Sequence, residues 1–122
     1  RKNKCSIVNI TSLNSELGFS KNPGYNSSKG ALKMLTKSMA VDLSKLGIRV
    51  NNIGPGYIRT KMTKKSYGNI IERRKRLSRM LIKRYGEPKD LIGPIIFLIS
   101  NGSNYITGQD IYVDGGFLTK GI

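Results

Sequence analysis

Histidine is absent from the 122-residue sequence, and cysteine occurs once, as Cys5. Without histidine there can be no imidazole metal site and no Ser-His-Asp triad. One cysteine cannot close an internal disulfide and offers no zinc-ligand spacing. Long apolar runs are also missing: Ile95 to Ile99 is the longest, far short of the roughly 20 residues that cross a bilayer. No basic-then-apolar signal segment opens the chain, so the expectation is a reducing, cytoplasmic setting with no membrane partner. Acidic residues are scarce, with 7 Asp and Glu against 22 Lys and Arg and a formal net charge of +15. Such a surplus suits phosphate backbones, which makes nucleic acid a partner to be weighed. What is present, 38% hydrophobic and 24% charged residues, fits a globular chain and not a disordered one.

The pattern along the chain alternates strands and helices. Ser6 to Ile10 is short, β-branched and free of polar alternation, as expected of a buried parallel strand. Thr11 to Gly24, rich in Ser, Asn and Gly, reads as a loop. Pro23 suits a first helical position, with Asn22 as N-cap. Leu32, Leu35, Met39, Leu43 and Leu46 then recur at helical spacing, and Gly47 ends that helix. Arg49 to Ile53 is a second strand, stopped by Gly54-Pro55-Gly56. Residues 57 to 86 are basic, with a helical core predicted over Asn69 to Ile82. Pro88 opens another helix, whose Leu91, Ile95, Phe97, Leu98 and Ile99 are too apolar to face water. Asp110 to Val113 is the third strand, and Gly115-Gly116 stops it. Short connections between such elements imply right-handed crossovers and an α/β parallel sheet covered on both faces. Three strands are few for this class, and the first would leave an open edge. That edge, and a start at Arg1 with no initiator methionine, lead to the expectation of a longer protein.

Three groups of residues can carry chemistry. Tyr25 and Lys29, four apart, share one helix face. A neighbouring ammonium and a position in the first helical turn both favour the phenolate of a tyrosine. Such a tyrosine can pass a proton to or from a substrate oxygen. Ser12 follows the first strand, where open α/β sheets gather their functional groups, and its hydroxyl can hold that oxygen. The Pro and Gly of Asn52-Ile-Gly-Pro55-Gly56-Tyr-Ile-Arg-Thr60 let the backbone pass close to a ligand. Ile58 backbone groups and the Thr60 hydroxyl would face the crevice. Each feature has a plainer reading by itself: an ordinary helix pair, a loop serine, a strand-ending turn.

Taken together, Ile7-Val-Asn-Ile-Thr-Ser12, Tyr25-x-x-x-Lys29-Gly-Ala-Leu, Gly47-Ile-Arg-Val-Asn51, Pro55-Gly-x-Ile-x-Thr60, Gly86-Glu-Pro88 and Thr107-Gly-Gln-x-Ile-x-Val-Asp-Gly-Gly116 run in order along nearly the whole chain. The sequence resembles the C-terminal half of a short-chain dehydrogenase/reductase. The resemblance implies a Rossmann-like doubly wound parallel sheet, represented by its last three strands and their helices over residues 1–122. It implies NAD or NADP as cofactor and a small-molecule substrate whose secondary alcohol and ketone interconvert. Tyr25 would be the catalytic acid/base and Ser12 the residue orienting the substrate oxygen. Lys29 would tune the tyrosine and bond the nicotinamide ribose, and Tyr25 would also contact the cofactor. Pro55, Gly56, Ile58 and Thr60 would line the nicotinamide, while Asn14, Tyr57 and Arg59 would meet the substrate; no metal is implied. The family's Gly-rich phosphate turn and the asparagine of its proton relay have no counterpart here, so NAD and NADP stay open. Family members pair subunits through the segments matching the helix after Pro88 and the strand at Ile111 to Val113, implying a homo-oligomer.

Ser12-Leu-Asn-Ser-Glu-Leu-Gly18 and Gly86-Glu-Pro-Lys-Asp-Leu-Ile-Gly93 are similar to gluconate 5-dehydrogenases within the family. The frame is shared with 3-oxoacyl-carrier-protein reductases, and a non-catalytic binding protein on the same fold is a further alternative. Eleven of the 22 basic residues fall within 59 to 84, where Glu72 is the one acid. In the family this stretch is the lid over the substrate, so a basic lid favours an anion. Alternatively, most of these eleven side chains are a solvated helix face, and Arg73-Arg-Lys-Arg76 contains no spacing that points all four one way. Nucleic acid is set aside, since Tyr67 and Tyr85 are too sparse for stacking and the dehydrogenase pattern accounts for the rest.

Overall fold

A computed structural model describes residues 5–120; Arg1 to Lys4, Gly121 and Ile122 lie outside the described residues. The three β-branched segments form strands β1 (Cys5–Ile10), β2 (Ile48–Pro55) and β3 (Asp110–Val113), all parallel, in the order β1-β2-β3. Ile7 stands opposite Val50 and Asn52 opposite Asp110. Between the strands lie helices α1 (Pro23–Leu43), α2 (Lys64–Gly68), α3 (Ile70–Arg79) and α4 (Ile92–Ile99). β2 runs two residues past the predicted stop at Ile53, because Gly54 and Pro55 pair with Tyr112 and Val113 of β3.

α1 begins at Pro23 as predicted, but Asn22 caps it without its side chain. Its backbone, at φ −143° and ψ 45°, is not extended as a side-chain cap requires. Instead its carbonyl accepts from the Asn26 amide at 3.0 Å. Gly47 ends the following 3-10 turn at φ +73°, a left-handed conformation that glycine takes without strain.

The buried stripe of α1 differs from the predicted leucines. Leu35 and Leu46 are exposed, while Thr36 and Ala40 are buried. The reason is a polar lining on the facing side of the sheet. Thr36 Oγ1 donates to Asn52 Oδ1 at 2.6 Å, and accepts from Asn9 Nδ2 at 2.8 Å. Asn52 Nδ2 in turn donates to Asp110 Oδ1 at 2.8 Å, so the chain of bonds crosses all three strands. Buried polar groups are stable there because each finds a partner. α4 covers the opposite face, where Ser6 Oγ donates to the Leu98 carbonyl at 2.8 Å and Leu98 is fully buried. Contrary to the sequence expectation, Phe97 and Ile99 are exposed, as are Ile92 and Ile96, since an eight-residue helix turns only one stripe to the sheet.

The predicted helix over Asn69 to Ile82 is shorter and has a companion. Asn69 separates α2 from α3 and caps α3, accepting from the Glu72 amide at 3.1 Å through Oδ1. Met80, 2% exposed, takes extended backbone and ends α3 by plugging into the core. Pro88–Leu91 forms a 3-10 turn before α4, closed by a reciprocal Glu87–Asp90 cap. Arg84 bonds both Asp90 oxygens, at 2.7 and 3.0 Å, and holds that carboxyl down at about 2. The principal apolar cluster, Leu13, Met80, Tyr85 and Phe117, lies beyond the strand ends and not between sheet and α1.

Candidate active site

The C-terminal end of β1 is pinned before it turns. Thr11, buried, donates twice to the Ile53 carbonyl, from its amide at 2.8 Å and its hydroxyl at 3.2 Å. Ser12 then caps a 3-10 turn, Leu13–Ser15, accepting from the Asn14 amide at 3.2 Å and donating to Asn14 Oδ1 at 3.0 Å. Asn14 Nδ2 donates onward to Asn26 Oδ1, and Asn26 Nδ2 to the Phe19 carbonyl at 3.0 Å. Because Asn26 adjoins Tyr25, this chain fastens the Ser12 turn to the first turn of α1. The Asn14 side chain, expected to meet substrate, is engaged with Ser12 and Asn26.

Tyr25 is half-buried, and Lys29 Nζ lies 5.6 Å from its ring centroid. The same ammonium donates to the Ile10 carbonyl at 2.9 Å. Thus one lysine is anchored at the end of β1 while its charge stands over the tyrosine ring. Ser12, Tyr25 and Lys29, separated in sequence, are gathered at one end of the sheet.

After β2, the Gly56 amide donates to the Val113 carbonyl at 3.0 Å, which extends the pairing beyond Pro55. Ile58 is buried and bridges Gly86; its carbonyl, predicted at the crevice, accepts from Thr63 Oγ1 at 2.5 Å. Arg59 and Thr60 are exposed and, with Lys61, Lys64, Tyr67 and Glu87, line an open groove of about 550 Å³. Tyr57 sits elsewhere, in an aromatic cluster 5.8 Å from Tyr85 and 5.5 Å from Phe117. Burial pushes the Tyr57 phenol up, with the Arg76 charge pulling the other way.

Nine of the eleven basic side chains within 59 to 84 are exposed, in line with a solvated face, while Arg73 and Arg76 are half-buried. Arg73, Arg76 and Arg79, three apart, lie on one side of α3 above Tyr67, Tyr57 and Phe117, at 5.3, 4.5 and 4.9 Å from the ring centroids. Arg59 covers Tyr67 as well, at 4.6 Å. Each such cation–π contact contributes about 0.5–1 kcal/mol at an exposed site. α3 is therefore seated on the aromatic cluster largely by arginines, and only Arg74 and Lys75 of the tetrad are exposed as a solvated face. Tyr67 is covered by the protein's own Arg59 and Arg73, and Tyr85 is buried against Tyr57 and Tyr67, so neither presents a free face for stacking on nucleic acid.

A family model described as enoyl-(acyl carrier protein) reductase matches residues 1–118. The chain belongs to the short-chain dehydrogenase/reductase family. It is 42% identical over 112 residues to a 5-keto-D-gluconate 5-reductase of Escherichia coli (strain K12), covering 92% of this chain and 44% of that protein. A crystal structure of a gluconate 5-dehydrogenase from Burkholderia cenocepacia J2315, in complex with NADP and tartrate, superposes with a TM-score of 0.92 at 34% identity, covering 95% of this chain and 46% of that one. A 4-hydroxyisoleucine dehydrogenase complexed with NADH gives a TM-score of 0.94 at 37% identity, over 98% and 49% of the two chains. The chain spans about half the length of these relatives. The sheet is Rossmann-like, as the sequence resemblance implies.

Several residues near the site escaped the sequence reading. Lys33 bonds Glu16 and lies 3.7 Å from Asp110, so it joins α1, the Ser12 turn and β3. Its position, one turn after Lys29 on the same face, is the signal that could have found it. Asn26 is next to Tyr25 but carries no local signal for a partner twelve residues back. Ser15, Glu16 and Tyr112 meet through a contact across more than ninety residues, invisible to any local pattern. Among the described residues, no helix is long and apolar enough to cross a membrane.

Proposed function

We propose that the protein is an NAD- or NADP-dependent oxidoreductase that interconverts a secondary alcohol and a ketone on a sugar acid or polyol. One observation carries the reading: Lys29 is bonded at the end of β1 with its charge over Tyr25, beside the Ser12 turn. Tyr25 exchanges a proton with the substrate oxygen, Ser12 donates a hydrogen bond to that oxygen, and Lys29 keeps positive charge beside the phenol. A nicotinamide cofactor supplies or accepts the hydride when bound. The groove lined by Arg59 and Thr60, about 550 Å³, has room for a planar ring. The relatives that bind NADP or NADH support the cofactor class. Residues 1–122 act as the C-terminal portion of one domain, as the half-length match supports. The exposed apolar side of α4 supports pairing with a second copy, and the single free cysteine suits a reducing cytoplasm.

The groove's Arg59, Lys61 and Lys64, with one carboxylate at Glu87, support an anionic substrate. The sugar-acid reaction of the Escherichia coli relative and the tartrate in the Burkholderia complex support the same class. In the full-length protein, NAD(P)H absorbance should fall with keto sugar acids and not with 3-oxoacyl thioesters. The double variant Arg59→Gln, Lys61→Gln is expected to lower kcat/KM and flatten its dependence on ionic strength, since exposed charges act through screened attraction. An unchanged salt dependence contradicts anion steering.

A further inference from the structure

Beneath the Ser12 turn, Tyr112 of β3 extends its ring across β2 where Gly54 has no side chain. A Cβ at Gly54 would lie 2.3 Å from Tyr112 Cε1. The space is therefore shaped to the ring, and it lets the phenol reach the turn that carries Ser12. There the hydroxyl donates to Glu16 Oε1 at 2.6 Å and lies 3.1 Å from Ser15 Oγ. Ser15 Oγ donates to the Ser12 carbonyl at 2.5 Å. Glu16 is held in turn by Lys33 from α1.

Proton arithmetic decides the direction of this chain. Two hydroxyl protons serve three short contacts. The Glu16 carboxylate takes the phenolic proton, because bonds to a charged acceptor are the stronger ones. Lys33 first, and the Tyr112 hydroxyl next, keep Glu16 below the ordinary carboxylate range, so it remains the acceptor. Burial and Glu16 push the Tyr112 phenol up, so it remains a donor. The Ser15 proton goes to the Ser12 carbonyl, the shorter of its two contacts at 2.5 against 3.1 Å, so the Tyr112–Ser15 approach carries no proton. Tyr112 therefore acts on the turn through Glu16, whose amide donates to the Leu13 carbonyl at 3.0 Å.

We propose that Tyr112, acting through Glu16, is a positioning residue that sets the place of the Ser12 hydroxyl. The proposal rests on the reading of Ser12 as the residue that holds the substrate oxygen. Neither Tyr112 nor Glu16 touches the reacting atoms. Their contribution is to hold a hydroxyl within the few tenths of an ångström that oriented catalysis requires.

The test is a cycle of Tyr112→Phe, Glu16→Ala and the double variant in the full-length protein, with Tyr25→Phe alongside. Tyr112→Phe keeps the ring that fills the space over Gly54 and removes only the hydroxyl. Each single variant is expected to lower kcat about tenfold, the scale of one lost hydrogen bond, and to leave the cofactor KM unchanged. The double variant should fall no further, because both act on one path. Amide hydrogen exchange over residues 12–16 should quicken about tenfold in both singles, a readout that needs no turnover. Full additivity, or unchanged kcat with only a lowered Tm, assigns the hydroxyl a structural role and overturns the proposal. Unchanged exchange in this turn overturns it also. If Tyr25→Phe keeps full activity, the reading of the site itself fails, whatever the cycle shows.

Discussion

Tyr25→Phe in the full-length protein is expected to lower kcat about 10²–10⁴-fold, the range assigned to a positioned proton-transfer group. The substitution removes one oxygen and leaves the ring under Lys29 Nζ, 5.6 Å from its centroid. It also leaves Lys29 bonded to the Ile10 carbonyl, so the end of β1 and the first turns of α1 keep their contacts. Cofactor binding and the thermal midpoint should therefore change little. Steady-state kinetics with circular dichroism and cofactor titration on the same sample separate the two effects. A loss of activity with intact fold and binding places the proton on Tyr25. A drop below threefold would mean that another group, or water, supplies it.

Gly54→Ala is expected to destabilise the protein by about 3 kcal/mol, the upper end of ordinary overpacking costs. The added methyl group would stand 2.3 and 2.4 Å from two ring carbons of Tyr112, and 3.3 Å from Thr11 Oγ1. The strand cannot yield easily, because Gly54 is paired with Tyr112 inside the ladder and its neighbour Ile53 is fully buried. The ring must leave instead, giving up its bond to Glu16 and its contact with Ser15. Denaturant unfolding measures the loss. The companion Gly54→Ala, Tyr112→Ala restores the space and should recover stability relative to Gly54→Ala alone. If Gly54→Ala is within 0.5 kcal/mol of the parent, on the scale of a neutral surface change, the close packing at this crossing is not a constraint.

The two predictions draw on different kinds of information, and the difference shows what the sequence could tell. The strand cores, the start of α1 at Pro23 and its end at Gly47 follow from local chemistry: β-branched runs, a proline that fits a first turn, a glycine at positive φ. So does the shared face of Tyr25 and Lys29, a consequence of helical spacing alone. The choice of Thr36 over Leu35 as the inward residue of α1 is not local. It depends on Asn9, Asn52 and Asp110 presenting a polar row from three strands, and a leucine stripe therefore points to the wrong face. The arginine seating of α3 was hidden for a similar reason. Charge counting treats Arg73, Arg76 and Arg79 as solvated, whereas their partners Tyr67, Tyr57 and Phe117 come from before and after the helix. The exposed side of α4 also departs from the sequence expectation, since apolar composition indicates a need for cover without indicating what provides it. At the site, the residues that a motif can name were legible. The residues that position them, Asn26, Lys33, Ser15 and Tyr112, act through tertiary contacts and needed the fold.

Deuterium transfer tests the central claim most directly. The full-length protein is supplied with a nicotinamide cofactor carrying deuterium on the reactive face of C4, together with a keto sugar acid. The account predicts one deuterium per turnover on the new carbinol carbon, seen by NMR, with the hydroxyl proton drawn from solvent through Tyr25. Product with hydrogen from water on that carbon, or cofactor that is bound and never oxidised across the keto sugar acids and ketoses, would contradict it.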